Sequence, residues 1–311
     1  MTSEIINAIL PVFLIIFLGW VSISFKFFDS SAKKTCATLV SSYVFPALLF
    51  IETATAKPEE ILDVNWMLAF FFAMLVIWLI VFISGRYFFK QNLANGAMQC
   101  LLCVFPNMGG MGIPFLLHVI GKTALISVAR ANFVVSITFI PLTIILLETA
   151  NLRGKTKLKL FALAFAKALK KPMFVAVVVG AIFSFTDLFR AIPAFIVSSI
   201  DSISKACIFV SLFTVGLALY KTKIRLTKLF VFNLIVKMLI SAIIAWVFTK
   251  VFHIEGNNAC ELIYLLAMPT ATIAAVLAIQ WEAQPEEATS MYLATTLFSA
   301  VTLPVLMYLL Q

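Results

Sequence analysis

Charge is scarce in this chain of 311 residues: Asp, Glu, Lys and Arg together make up 12% of it, and there are 2 histidines. A soluble domain carries about 25% charged residues, so this one would have too little polar surface to cover itself. His118 and His253 have no carboxylate at helical spacing beside either, and they read as interfacial structural residues rather than proton carriers. Cysteine is scarce too: the 5 present are Cys36, Cys100, Cys103, Cys207 and Cys260. Cys100-Leu-Leu-Cys103 spells a CxxC pair, but no second pair or histidine cluster accompanies it, so both thiols read as helix packing. The chain also lacks a Walker sequence, a His-Glu-x-x-His, a paired-aspartate motif and a Gly-x-Ser-x-Gly. Those absences argue against ATP hydrolysis by the chain itself and against a membrane enzyme, and no cofactor or metal site is expected.

What the chain has in abundance is apolar sequence, with 63% hydrophobic residues and a mean hydropathy of +1.09. The expected class is an all-α integral membrane protein. Apolar segments of about 20 residues exclude an outer-membrane barrel, whose strands are shorter and alternate. The first run, Ile5 to Phe25, follows Glu4 without a basic residue and has no small-residue cleavage site, so it reads as a retained helix rather than a signal peptide. Ten spans are expected, at 5–25, 35–53, 66–88, 94–117, 124–147, 172–188, 202–219, 229–252, 259–281 and 287–310. The longest connector divides them five and five, giving a first repeat over 1–148, a linker over 149–171 and a second repeat over 172–311.

The net charge of +9 is spread over short loops rather than gathered in a patch, so topology explains it and no nucleic-acid partner is expected. Loops after odd-numbered spans hold Lys26, Lys33, Lys34, Arg86, Lys90, Arg153, Lys155, Lys157, Lys159, Lys167, Lys170, Lys171, Lys221, Lys223, Arg225 and Lys228, which is 16 of the 23 basic residues. Lys57, Lys122, Arg190 and Lys250 lie on the other side. The positive-inside rule places the 149–171 linker in the cytoplasm and both termini outside, in the inner membrane. An odd number of spans per half inverts the second half relative to the first. Sequence matches support such a repeat: Pro11, Phe13 and Gly19 recur as Pro172, Phe174 and Gly180 at a shift of 161, and Pro106 and Pro141 recur as Pro269 and Pro304 at a shift of 163. Inverted repeats are a transporter signature.

Two apolar runs carry poor helix formers at their centres, Phe105 to Phe115 with two prolines and three glycines, and Ala267 to Thr272 around Pro269. Proline removes an amide donor and glycine loosens the backbone, so each helix is expected to open there. Freed backbone groups cannot face lipid and must line a cavity or pack in protein, which marks a binding site. In an inverted arrangement the second halves of spans 4 and 9 point their N-termini toward a shared centre. Unpaired amides and the positive end of the helix dipole suit an anion there. Asn107, Met108 and Gly109 would form one cradle beside Pro106; Thr270, Ala271 and Thr272 would form the other beside Pro269.

Pro106-Asn107 followed by Met111-Gly112-Ile113-Pro114 and Gly121 resembles the crossover signature of the auxin efflux carrier family, which includes plant PIN carriers and bacterial malonate- and malate-type transporters. Met268-Pro269, Gln280-Trp281, Pro285 and Leu303-Pro304 follow the order of that family's last two helices, so the resemblance covers the whole chain. It implies two inverted five-helix repeats in a bile acid/sodium symporter-like fold. Helices 4 and 9 would break at their prolines and cross at the substrate site, with helices 1, 2, 6 and 7 as scaffold. It also implies that Asn107 contacts a substrate carboxylate. Met108-Gly109-Gly110 and Thr270-Ala271-Thr272 depart from the plant motifs, and the long plant loop is absent, which favours a small bacterial organic acid over auxin.

Lys237, about nine residues inside span 8, is costly if it faces lipid; it either snorkels or serves coupling or the scaffold. Arg130 reads as snorkelling. Glu148 and Glu261 read as interfacial, as does Glu52 with the added option of a coupling or scaffold-site role. Asp201 and Lys205 form an i,i+4 surface pair at the mouth of span 7. The expected function is a secondary transporter moving a small carboxylate by alternating access, as efflux. A carboxylate-gated sensor or channel, or a sodium-coupled uptake symporter, is the alternative. Sodium or a proton could couple it, although no acid sits clearly at the midplane. The expected partners are the carboxylate, the lipid bilayer and, as one assembly, a second copy in a homodimer.

Overall fold

The computed structural model describes residues 2–55, 63–151, 163, 165–167, 169–186, 188–220 and 226–310, and every element longer than one residue is helical among the described residues. Helix α1 (Thr2–Ser24) leads to a span built of α2 (Ala32–Leu39), a π turn over Val40–Val44 and α3 (Phe45–Ala54). Then come α4 (Val64–Tyr87), α5 (Leu93–Val104), a π turn over Met108–Gly112, α6 (Ile113–Val119), α7 (Ala124–Ile137) and α8 (Phe139–Asn151). The second half holds α9 (Pro172–Thr186), α10 (Ala194–Leu219), α11 (Lys228–Ile235), a π turn over Val236–Ile240 and α12 (Ser241–Val251). It ends with α13 (Gly256–Ala267), α14 (Thr272–Gln280) and α15 (Pro285–Leu310). The 149–171 linker, and Lys57, Arg153, Lys155, Lys157, Lys159, Lys221, Lys223 and Arg225, lie largely or wholly outside the described residues.

Among the described residues six helical segments are long and apolar enough to cross a membrane: Ala32–Ala54, Val64–Tyr87, Ala124–Ala150, Ala194–Leu219, Lys228–Val251 and Pro285–Leu310. The chain is thus an all-helical, multi-pass integral membrane protein. The runs at 94–117 and 259–281 are not single spans, because each is two short helices separated at a proline. Helix α10 starts at Ala194, eight residues before the expected 202. Its start is set by Pro193, whose fixed φ suits a helix entry, and the Asp201–Lys205 pair (2.5 Å) therefore lies along the helix and not at its mouth. Other starts are capped as their sequences dictate: Asp63, Asn92 and Thr227 each accept from the amide three residues on, at 3.0, 2.8 and 3.0 Å.

Burial separates two kinds of helix. In α4 one face is buried (Ala69, Phe70, Ala73, Met74, Ile77, Val81) while Leu68, Phe72, Leu79 and Ile83 are exposed, as a helix facing hydrocarbon on one side should be. In α5, α13 and α14 every residue of 96–104, 261–267 and 272–279 is buried. A helix apolar on all sides belongs inside, and these three flank the breaks, whose freed backbone could not be left to lipid.

Close helix crossings hold the remaining helices. A Cβ on Gly19 of α1 would stand 2.3 Å from the Phe213 carbonyl oxygen of α10, and one on Gly216 would stand 2.1 Å from the Ile16 carbonyl oxygen, so these backbones touch. Gly180 of α9 meets Thr53 and Phe50 of α3 in the same manner. At one end of the molecule the connectors are tied together. Lys34 pairs with Glu282, Lys171 Nζ lies 3.0 Å from Glu148 and 4.8 Å from the Trp281 ring centre, and Gln284 donates to Gln91 at 2.9 Å. Glu148 is thus paired, with Lys167 Nζ at 3.9 Å as a second partner. At the opposite end Asn65 donates to the Phe252 carbonyl at 2.8 Å and the Trp66 indole to that of Asn258 at 3.0 Å.

Candidate functional site

Helix α5 stops at Val104, after which Phe105 is extended (ψ 105°). Pro106 cannot donate to a helical carbonyl and biases the residue before it toward extended geometry, so the stop is written into the sequence. Pro269 does the same after α13, where Met268 and Ala271 are extended at ψ 149° and 138°. The two extended stretches pair with each other: Pro106 and Thr270 form an antiparallel bridge. Asn107 N donates to the Pro269 carbonyl at 2.8 Å and Ala271 N donates to the Phe105 carbonyl at 2.9 Å. Each break therefore satisfies backbone groups that the other one freed. Thr270 fastens the junction, its amide donating to Thr295 Oγ1 at 3.1 Å and its hydroxyl to the Leu102 carbonyl at 2.8 Å.

Beyond the junction both chains re-enter helix, and the first turns keep free donors. Asn107 accepts at Oδ1 from Gly110 N, 3.2 Å away, while its Nδ2 is buried with no partner. Glycine at 110 leaves room for this cap, because a Cβ there would approach Asn107 Oδ1 to 2.8 Å and displace the side chain. The cap oxygen thus orients the side chain and leaves the amide nitrogen free to donate. The backbone amides of Gly109, Thr272 and Ile273 likewise have no assigned acceptor among the described residues.

The residues that carry these donors line a cavity of about 610 Å³, the open solvent at its mouth included. Pro106, Asn107, Met108, Gly109, Ala271 and Thr272 all line it. Pro269 and Thr270 are not among its lining residues; they hold the junction, through the Pro269 carbonyl and the Thr270 amide and hydroxyl. Glu52 lines the same cavity, so the helical face it occupies matters more than its closeness to the end of α3. Asn132 of α7, Ser211 of α10 and Tyr292 of α15 also line the cavity and were not singled out in the sequence. Mid-span polar residues were the available signal for them, but their orientation depends on packing.

Lys237 does not line the cavity. It is 0% exposed inside the π turn of 236–240, with Nζ 3.5 Å from the Leu266 carbonyl oxygen, so it does not snorkel. No carboxylate lies within 4.0 Å of it among the described residues. One turn before it Asn233 donates to Gln99 at 2.5 Å, and Gln99 to Gln284 at 2.5 Å, which continues a buried amide chain to the end of the molecule where Gln91 lies. Arg130 reaches Asp63, the cap residue of α4, with its guanidinium at 3.5 Å and its side chain 13% exposed. Glu261 is buried and accepts from the Ser127 hydroxyl. Cys100 and Cys103 are free buried thiols that point at the carbonyls of Trp78 and Asn233.

Compared with known proteins, residues 4–307 match the family described as membrane transport protein. A protein of Escherichia coli (strain K12) named "Uncharacterized transporter YfdV" is 25% identical over 99% of this chain and 98% of its own length. One of Rhizobium meliloti (strain 1021) named "Putative malonate transporter" is 23% identical over 99% and 97%. An uncharacterized transporter of Methanocaldococcus jannaschii is 22% identical over 96% of both chains. These names are those of transporters and not of enzymes.

Proposed function

The chain belongs to the membrane transport protein family, and from that premise we propose that it is a secondary carrier that moves a small organic anion across the inner membrane by alternating access. One observation carries this reading: at the junction of the two broken helices, the residues that hold the unpartnered Asn107 Nδ2 and three open backbone amides all line one cavity. Unpartnered donors beside a cavity, at the positive ends of two helix dipoles, are natural holders of a carboxylate. The name of the Rhizobium relative makes malonate the first substrate to test.

We read the architecture as two inverted five-helix repeats, 1–148 and 172–311. Helix α1 packs on α10 through Gly19 and Gly216, while α9 packs on α3 through Gly180 and Thr53. Gly19 and Gly180 are related by a shift of 161, and Thr53 and Gly216 by one of 163, the same shifts that relate the prolines. The two crossings are thus equivalent under the repeat. The basic loops then place the linker in the cytoplasm and both termini outside.

The test is counterflow in proteoliposomes. Labelled malonate should accumulate against its gradient when unlabelled malonate is loaded inside, and Asn107→Asp should abolish it. Binding without counterflow would refute a carrier and leave a sensor.

A further inference from the structure

Glu52 is the one charged side chain among the described residues that lines the cavity. Among the described residues it makes no ion pair and no hydrogen bond. Nothing basic among the described residues pairs with it from the elements packed on α3, and Arg190, beside the Phe189 that packs on Phe50, is exposed. Helix α9 carries no titratable side chain in its described length. Helix α10 offers Cys207 beside it in the cavity wall, and its Lys205 is held by Asp201 at 2.5 Å. Helix α7 offers Arg130, which is engaged by Asp63. The π turn before α3 offers Tyr43, which is 67% exposed on the outer surface. Lys237 lies outside the cavity lining.

We propose that Glu52 couples ligand binding to a proton: the ionised carboxylate takes up one proton from water as an anionic carboxylate enters, and the neutral acid then shares the cavity with it. This rests on the reading of the cavity as a carboxylate site. The reason is electrostatic. Two carboxylates in one cavity, with no cation between them among the described residues, resist both staying ionised, because the like charge disfavours the second ionisation. The ligand's own charge is met by the donors of Asn107, Gly109, Thr272 and Ile273, whereas Glu52 has no donor of its own. The proton therefore goes to Glu52. No bond other than the O–H forms, and the charge brought in by one ligand carboxylate is balanced by that proton.

The experiment is calorimetric titration of the purified full chain with malonate, malate and acetate. It is run in pairs of buffers that differ in ionisation enthalpy, over a pH range in which the ligands are fully ionised. The parent should take up one proton more per ligand than Glu52→Gln. Its affinity should fall about tenfold per pH unit as the pH rises, while that of Glu52→Gln stays flat. Glu52→Asp should keep the proton uptake, which a purely structural carboxylate would not predict. Should Glu52→Gln fail to fold, proton uptake by the parent and by Glu52→Asp still decides. Saturable binding with no proton taken up by the parent overturns the proposal while leaving the carboxylate site intact. So does binding of glycine betaine that Glu52→Gln loses, because the carboxylate would then be a counter-ion for a ligand cation. Absence of binding by all three acids overturns the site reading, and this inference with it.

Discussion

Replacing Asn107 with Asp separates the two tasks its amide performs. The oxygen caps the turn at Gly110 N, 3.2 Å away, and the nitrogen is buried without a partner in the cavity wall. Asp keeps an oxygen acceptor for the cap and removes the donor, putting a negative charge where a carboxylate is meant to sit. A hydrogen bond to a charged acceptor contributes about 1.5–3 kcal/mol, so loss of the donor alone weakens binding roughly 10- to 150-fold, and like-charge repulsion adds to it. Stability should hold, because the cap survives. Asn107→Ala loses both: binding falls over the same range, and the helix start loses about 1 kcal/mol of capping, so its melting temperature drops below that of the Asp variant. The assay is malonate affinity by calorimetry beside thermal unfolding of the parent and both variants. An Asp variant that binds as well as the parent would refute the argument, and an Ala variant as stable as the parent would show that the cap contributes nothing.

Other sites give sharper stability tests. Gly216→Leu places a Cβ 2.1 Å from the Ile16 carbonyl oxygen and 2.9 Å from the Gly19 Cα. Backbone cannot yield, so the cost should exceed the roughly 1–3 kcal/mol of ordinary overpacking, read as a lower melting temperature in detergent. Lys237→Met keeps the stem and removes a buried charge with no carboxylate within 4.0 Å among the described residues, so stability should hold or rise; a collapse would show that the ammonium is needed. Lys34→Cys with Glu282→Cys, in a background lacking Cys36, should cross-link and label from a single side of the membrane. Lys34 donates to Glu282 and its charge holds that carboxyl below the usual range. Any stability from the pair is therefore present above the unfolded carboxylate's pKa and lost as pH falls through the lowered folded value. The melting-temperature gap between the parent and Glu282→Gln should close on acidification and shrink in high salt.

Local chemistry made the breaks legible in the sequence. A proline cannot donate wherever it sits, so Pro106 and Pro269 announce their interruptions without any knowledge of the fold. Asn107 is legible for the same reason, as a capping residue directly after one of them. Glu52, Asn132 and Tyr292 are not, since facing the cavity or the lipid is a matter of rotation about the helix axis. That rotation is fixed by packing: Gly180 presses against Thr53, and Thr53 turns its neighbour Glu52 away from α9. Arg130 and Glu261 mislead in the opposite sense. They sit near span ends and look interfacial, but Asp63 and the Ser127 hydroxyl, both distant in sequence, receive them. The π turn at 236–240 carries no sequence signal, and it is this turn that holds Lys237 fully inside.

The pairing of Phe105 to Asn107 with Pro269 to Ala271 also bears on how the protein is made. Synthesis delivers the first break to the bilayer long before the second. Until α13 and α14 arrive, the Phe105 carbonyl and the Asn107 amide lack the partners they have in the finished protein. Lipid supplies none, and each exposed group costs a few kcal/mol. The nascent first half must therefore keep its centre wet or covered while the second half is inserted. Two halves made as separate chains would carry matching deficits, and those deficits would themselves drive the fragments together.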